Sequence, residues 1–141
     1  MALSTSATAR QRKLALTCAA IAFVMAGAIM WGAMQVDDQL SSYIPTDKMR
    51  HILAFGAIGL CAGFMPSSCW RLIGLGAVIA FAFAVEAIQI PIVGRNASVS
   101  DLFASGIGAF AGFGFGAAAL ITWDIIRQRI RPDLISAPPQ I

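Results

Sequence analysis

Charged residues are scarce in this chain. Asp, Glu, Lys and Arg make up 12% of its 141 residues, which is about half of what a soluble domain carries. Hydrophobic residues make up 58%, and the mean hydropathy is +0.77. The formal charge of +3 comes from short basic clusters between apolar runs, so it does not indicate a nucleic-acid partner. The composition excludes an ordinary soluble domain and favours a membrane protein.

Cysteine and histidine are also scarce: the chain has three cysteines and one histidine. The cysteines have no metal or redox spacing, and Cys18 and Cys61 fall mid-helix as small apolar residues. We therefore predict no disulfide and no cofactor. A metal site from His51, Glu86 and Asp101 is chemically possible but lacks paired-ligand spacing, so no metal is predicted.

Long apolar runs are what the chain does have. The first, residues 14–34, contains no charge and is long enough to cross a hydrocarbon core of about 30 Å. The third apolar run covers about residues 70–90. Pro91 ends it, because a residue before proline avoids the α region. We predict an all-α polytopic membrane protein, a four-transmembrane-helix bundle forming one domain over residues 14–123. Its helices are predicted at about 14–34, 47–65, 70–90 and 101–123.

The flanks of this domain set the predicted orientation. Residues 1–13 are a polar lead that ends in basic residues, and residues 124–141 are a basic, Pro-rich and partly disordered tail. Lysine and arginine are concentrated on the side that holds both termini, so the positive-inside rule predicts that both termini are cytoplasmic. The first run exceeds a signal-peptide core, so a cleaved signal peptide is not expected. The predicted location is the bacterial cytoplasmic (inner) membrane.

Polar residues from three helices are predicted to share one layer near the non-cytoplasmic surface. The second helix begins there, the third ends there and the fourth begins there, so residues distant in sequence meet at one depth. An acid inside a membrane span is costly and indicates function. We predict a ligand-binding or proton-relay site formed by Asp47, His51, Glu86, Gln89, Arg95 and Asp101. Lys48 and Ser105 are secondary members of this site.

Structural interpretations of the same residues stay open. Asp47, Lys48, Arg50 and Asp101 are also typical of helix caps and interface anchors. Glu86 could be a purely structural partner of Arg95 or His51, and Gln89 could simply donate a hydrogen bond to a neighbouring helix.

Glycines at a spacing of four residues predict close helix packing. The second helix carries Gly59 and Gly63, and the fourth carries Gly108, Gly112 and Gly116. Small faces of this kind let helix backbones approach in lipid. The pattern indicates a compact bundle or a dimer and no particular chemistry.

The polar motifs resemble those of the VanZ-like membrane protein family. The matching elements are Asp-Lys followed by His (DKMRH), Glu-x-x-Gln, a turn bearing proline or glycine, an Arg, and an Asp that opens a glycine-rich last helix. The resemblance covers about residues 40–116. One departure is Ser105, where the family usually has Asn, and this change would alter any ligand contact. The resemblance implies a small polytopic envelope protein, whose namesake is associated with low-level glycopeptide resistance.

Three functions are compatible with these features. The first is binding or handling of a cell-envelope intermediate, such as a lipid-linked phosphate or glycan head group, with a membrane lipid or lipid-linked precursor as partner. The second is an accessory or structural subunit of a larger membrane complex or homo-oligomer. The third is a membrane hydrolase or transferase with His51 and an acid as base. We disfavour an enzyme, because no Ser or Cys nucleophile stands with a base.

Overall fold

The part of the protein that the structure describes is all α-helical, as predicted. A computed structural model describes residues 2–34, 47–92 and 98–130. Within these ranges the chain forms four helices: α1 (Ala2–Met34), α2 (Asp47–Gly63), α3 (Ser68–Gln89) and α4 (Val99–Ile130).

Helices α2 and α4 run parallel to each other with their backbones in contact. A Cβ added at Gly108 would meet the backbone of Ile52, and one added at Gly112 would meet that of Gly56. One turn further along, a Cβ added at Gly116 would lie 2.6 Å from the carbonyl oxygen of Leu60. The residue numbers increase together along both helices, which makes the pair parallel. Only glycine permits so close an approach at these positions.

Helix α3 runs antiparallel to this pair and completes the core. The Phe55 ring of α2 lies 5.9 Å from the Phe81 ring of α3, between centroids. Further along α2, Ala62 approaches Gly74 near the start of α3. The side-chain oxygen of Ser67 accepts a hydrogen bond from the Trp70 N–H at 3.3 Å, which caps the start of α3. Val78, Ala82 and Val85 are the buried apolar residues of this helix.

Helix α1 is peripheral. Leu16, Phe23, Val24 and Trp31 are exposed on it, whereas Cys18 and Ala33 are buried. Its exposed apolar side chains would face lipid if the helix spans a membrane, since lipid tails are as apolar as leucine.

Two helices are longer than predicted. Helix α1 begins at Ala2, well before the predicted start at residue 14. Residues 2–13 contain no glycine or proline, so nothing in that segment breaks a helix. Helix α4 continues to Ile130, beyond the predicted end at residue 123, with Arg127 and Arg129 in its last turn. Cationic side chains there complement the helix dipole. Residues 131–141 of the predicted tail lie outside the described residues.

Among the described residues, three helical segments are long and apolar enough to cross a membrane: Gln11–Met34, Ser68–Gln89 and Val99–Arg127. Helix α2 has 17 residues and a length of about 25 Å at 1.5 Å per residue, slightly less than a hydrocarbon core. The structure is therefore compatible with a membrane protein.

Candidate functional site

The polar residues gather at one end of the bundle, where α1 and α3 finish and α2 and α4 begin. Three hydrogen bonds connect these ends: His51 of α2 to Ser105 of α4, Ser98 before α4 to Glu86 of α3, and Gln89 of α3 to Ala33 of α1. The parallel arrangement of α2 and α4 places their first turns side by side.

A chain of hydrogen bonds links His51 to the start of α4. The Ser105 hydroxyl donates to the backbone carbonyl of Asp101 at 2.9 Å. The Nδ1 atom of His51 lies 2.9 Å from the same hydroxyl oxygen. When that hydroxyl gives its single hydrogen to the Asp101 carbonyl, Nδ1 is the donor of the second bond. A neutral His51 then carries its lone pair on Nε2.

Asp47 and Asp101 converge on this histidine. One side-chain ligand atom from each of Asp47, His51 and Asp101 lies within 4.8 Å of the other two. Asp47 and His51 stand one turn apart on α2 and share a face, and Asp101 is supplied by the facing turn of α4. The structure thus brings together three of the six predicted primary residues in one group, with Ser105 behind His51.

The members of this group differ in exposure. Asp101 is 9% exposed and Ser105 is 1% exposed, while the Asp47 side chain is 48% exposed and lies 3.8 Å from the Arg50 guanidinium. Lys48 is exposed in the same turn. A ligand could therefore approach from the side of Asp47, and Asp101 forms the inner wall.

Glu86 is buried in the last turn of α3, three residues before the helix ends at Gln89. Its side chain is 9% exposed, and one carboxylate oxygen accepts a hydrogen bond from the Ser98 N–H at 3.0 Å. Its other oxygen, Oε1, is buried and has no hydrogen-bond partner among the described residues. A carboxylate at a helix N-terminus is stabilised by the helix dipole. Glu86 thus contacts the start of α4, a partner that the sequence did not predict.

Gln89 and Arg95 complete the predicted set. The Gln89 side-chain amide donates to the Ala33 carbonyl of α1 at 3.5 Å, which agrees with the open interpretation that it bonds a neighbouring helix. Arg95 lies outside the described residues, so its predicted role stays a prediction.

The predicted packing glycines lie where α2 meets α4. A Cβ at Gly59 would meet the backbone of Ala109, and one at Gly63 would meet Phe113, Gly116 and Ala117. This contact holds the first turns of the two helices together, so it positions Asp47 and His51 opposite Asp101 and Ser105.

Sequence reasoning missed two residues of this region. Ser98 precedes α4, accepts a hydrogen bond from the Ser100 N–H at 3.2 Å and bonds Glu86. Its signal was the spacing Ser98-x-x-Asp101, which is typical of a capping box. Phe55 stacks on His51 with ring centroids 6.1 Å apart and an interplanar angle of 3°. Its signal was the i,i+4 spacing from His51.

An apolar groove of about 610 Å³ runs between α3 and α4. On α4 its lining begins at Leu102 and Phe103, immediately after Asp101, and continues past Gly106. On α3 it includes Ala82 and Phe83, one turn from Glu86. The groove therefore begins at the level of the polar residues and extends away from them along the bundle.

Comparisons of this chain with known protein families, characterised proteins and solved structures give no match. They give the VanZ-like resemblance no support, so that resemblance stays a prediction from the residue pattern.

Proposed function

We propose that this chain is an integral membrane protein that binds the polar head of a lipid-linked cell-envelope intermediate and holds its hydrocarbon chain in the groove between α3 and α4. The observation that carries this proposal is the adjacency of two surfaces on the first turns of α4. Asp101 belongs to the polar group that it forms with Asp47 and His51, and Ser105 bonds that histidine. On the same turns, Leu102, Phe103 and Gly106 line the apolar groove. An amphipathic ligand has the same two parts.

The membrane placement belongs to the same proposal. All four helices span the bacterial inner membrane, both termini are cytoplasmic, and the polar end of the bundle lies near the outer surface. Helix α2 can be shorter than a full span because its N-terminal turn is polar and lies at the interface. The distribution of lysine and arginine supports this orientation.

The chemistry of the polar group favours hydroxyl-rich or cation-bridged heads. Asp47, Glu86 and Asp101 are carboxylates, which accept hydrogen bonds from sugar hydroxyls. A bare phosphate would be repelled by them, so binding of the phosphate needs positive charge. Lys48 and Arg50 lie in the same turn as Asp47, and Arg95 is the predicted third source of charge.

Occlusion of the groove tests the proposal. A Cβ at Gly106 would meet no atom within 4 Å, so Gly106→Leu fills the groove without a backbone clash. Gly114 is equally open on the same helix but is not part of the groove lining, which makes Gly114→Leu the matched control. We expect Gly106→Leu to weaken binding of a glycosylated polyprenyl phosphate by at least about tenfold, or 1.4 kcal/mol, in native mass spectrometry. Gly114→Leu should bind as the wild type does.

Two outcomes would contradict the proposal. One is equal affinity of wild type, Gly106→Leu and Gly114→Leu for the glycosylated polyprenyl phosphate. The other is a stoichiometric protein partner in place of bound lipid when the chain is released from native membranes, which would favour the accessory-subunit function.

A further inference from the structure

Three metal-ligating side chains of mixed type meet at the start of α2 and α4. They are two carboxylates and one imidazole, from Asp47, Asp101 and His51, with ligand atoms within 4.8 Å of one another. Two of them stand at i,i+4 on one helix, and the third comes from the parallel neighbour. This group differs from the set considered from sequence, because Asp47 takes the place of Glu86.

The histidine of this group has its second nitrogen already engaged. Metal-bound histidines almost always donate their other ring N–H to a nearby acceptor, which fixes the tautomer and the ring orientation. Here Nδ1 lies 2.9 Å from the Ser105 hydroxyl, and it is the donor when that hydroxyl donates to the Asp101 carbonyl. The Phe55 ring stacks on the imidazole and restricts its rotation. Nε2 is left with the lone pair that a metal requires.

The buried acid of the group gives an independent indication. Asp101 is nine-tenths buried, and the hydrogen bonds that it forms with other described residues are made by its backbone N–H and carbonyl. One of its carboxylate oxygens lies within 4.8 Å of ligand atoms of His51 and Asp47. Burying a carboxylate is costly unless it is paired, and a cation bound between Asp101, His51 and Asp47 would offset that cost.

We propose that Asp47, His51 and Asp101 bind one divalent transition-metal cation, with Zn²⁺ the best fit. An imidazole with two carboxylates suits Zn²⁺, whereas Mg²⁺ and Ca²⁺ prefer oxygen ligands alone. Three protein ligands leave a fourth position for water or for an oxygen atom of a ligand. This proposal holds whether or not the protein binds a lipid-linked intermediate, although a metal here would supply the positive charge that a phosphate head needs.

For a zinc ion to bind, the three ligand atoms must move closer together than the 4.8 Å within which they lie. Ligand atoms around a tetrahedral zinc ion lie about 3.3 Å apart, given bonds of about 2.0 Å. Asp47 can make most of this adjustment, because its side chain is 48% exposed and its contact with Arg50 is long at 3.8 Å. A surface ion pair of this kind contributes little to stability.

Metal binding by the purified full chain tests the proposal directly. The protein is prepared in detergent without a polyhistidine tag, stripped with chelator and titrated with Zn²⁺, or with Co²⁺ followed by its visible absorption. We expect one metal ion per chain. Ser105→Ala should lower the affinity by roughly 10- to 100-fold, as is usual for loss of an outer-shell partner. His51→Ala and Asp101→Asn should lower it further.

Two variants keep the test decisive if the buried changes impair folding. Asp47→Asn alters an exposed ligand and should weaken Co²⁺ binding while the protein stays folded. Asp124→Asn removes an exposed carboxylate further along α4 and should leave binding unchanged. The proposal is overturned if the wild type shows neither bound metal nor Co²⁺ absorption bands, or if Asp47→Asn binds as tightly as Asp124→Asn does.

Discussion

The contact between α2 and α4 and the surface of α1 show two different ways of building a helical bundle. Along α2 and α4, glycines allow backbone to lie against backbone at three successive turns. Along α1, a Cβ added at Gly27 would meet no described atom within 4 Å, and large apolar side chains such as Phe23 and Trp31 are exposed. The first contact specifies one register of two helices, while the second surface requires only that its surroundings be apolar.

This difference matters for the polar group. Because α2 and α4 are parallel and their register is fixed by the glycines, Asp47 and His51 stand opposite Asp101 and Ser105. A shift of one helical turn would separate these pairs by about 5.4 Å. The glycine contact is therefore the scaffold of the candidate site, and α1 is not.

Breaking the glycine contact should have the largest effect. A Cβ at Gly112 would overlap the Gly56 carbonyl and lie 2.9 Å from the Leu60 nitrogen. Backbone atoms cannot move aside as a flexible side chain can, so Gly112→Ala must push the helices apart. We expect a loss of about 3 kcal/mol of stability, equivalent to a fall on the order of 10 °C in melting temperature, measured by thermal unfolding in detergent.

Gly114→Ala is the control for this change, because it lies two residues away in open space. There the added methyl group should raise stability by about 0.5–1 kcal/mol, since alanine is the better helix former. Equal melting temperatures for the two variants would show that the contact between α2 and α4 does not stabilise the fold.

Removing Glu86 should have an intermediate effect. Glu86→Ala leaves the half-buried Ser98 N–H without its acceptor where α4 begins, and the lost hydrogen bond contributes about 1 kcal/mol. Glu86→Gln keeps an acceptor oxygen and should lose less. Thermal unfolding of both variants measures the difference, and a Glu86→Ala protein as stable as Glu86→Gln would contradict this role.

The contrast between the glycine contact of α2 with α4 and the exposed surface of α1 also explains which features the sequence could predict. Gly59, Gly63, Gly108, Gly112 and Gly116 are identified by spacing alone, because a glycine face is a local property of a helix. The shared layer of polar residues followed from helix count and direction. The contact of Glu86 with Ser98 and the grouping of Asp47 with His51 and Asp101 depend on helix rotation and register. Hydrophobic pattern does not specify these, because α1 and α4 are apolar over most of their circumference.

The attachment of α1 provides the smallest expected effect. Gln89 reaches the Ala33 carbonyl of α1 at 3.5 Å, a long hydrogen bond of limited strength. Interhelical hydrogen bonds in membranes average about 0.6 kcal/mol. Gln89→Leu should therefore change stability by no more than about 0.5 kcal/mol, because the leucine packs apolar atoms where the amide was. Phe23→Ala, on the exposed face of α1, is the matched change without a hydrogen bond. If Gln89→Leu lowered the melting temperature as far as Gly112→Ala does, α1 would be as specifically positioned as α4, and the contrast between the two helices would fail.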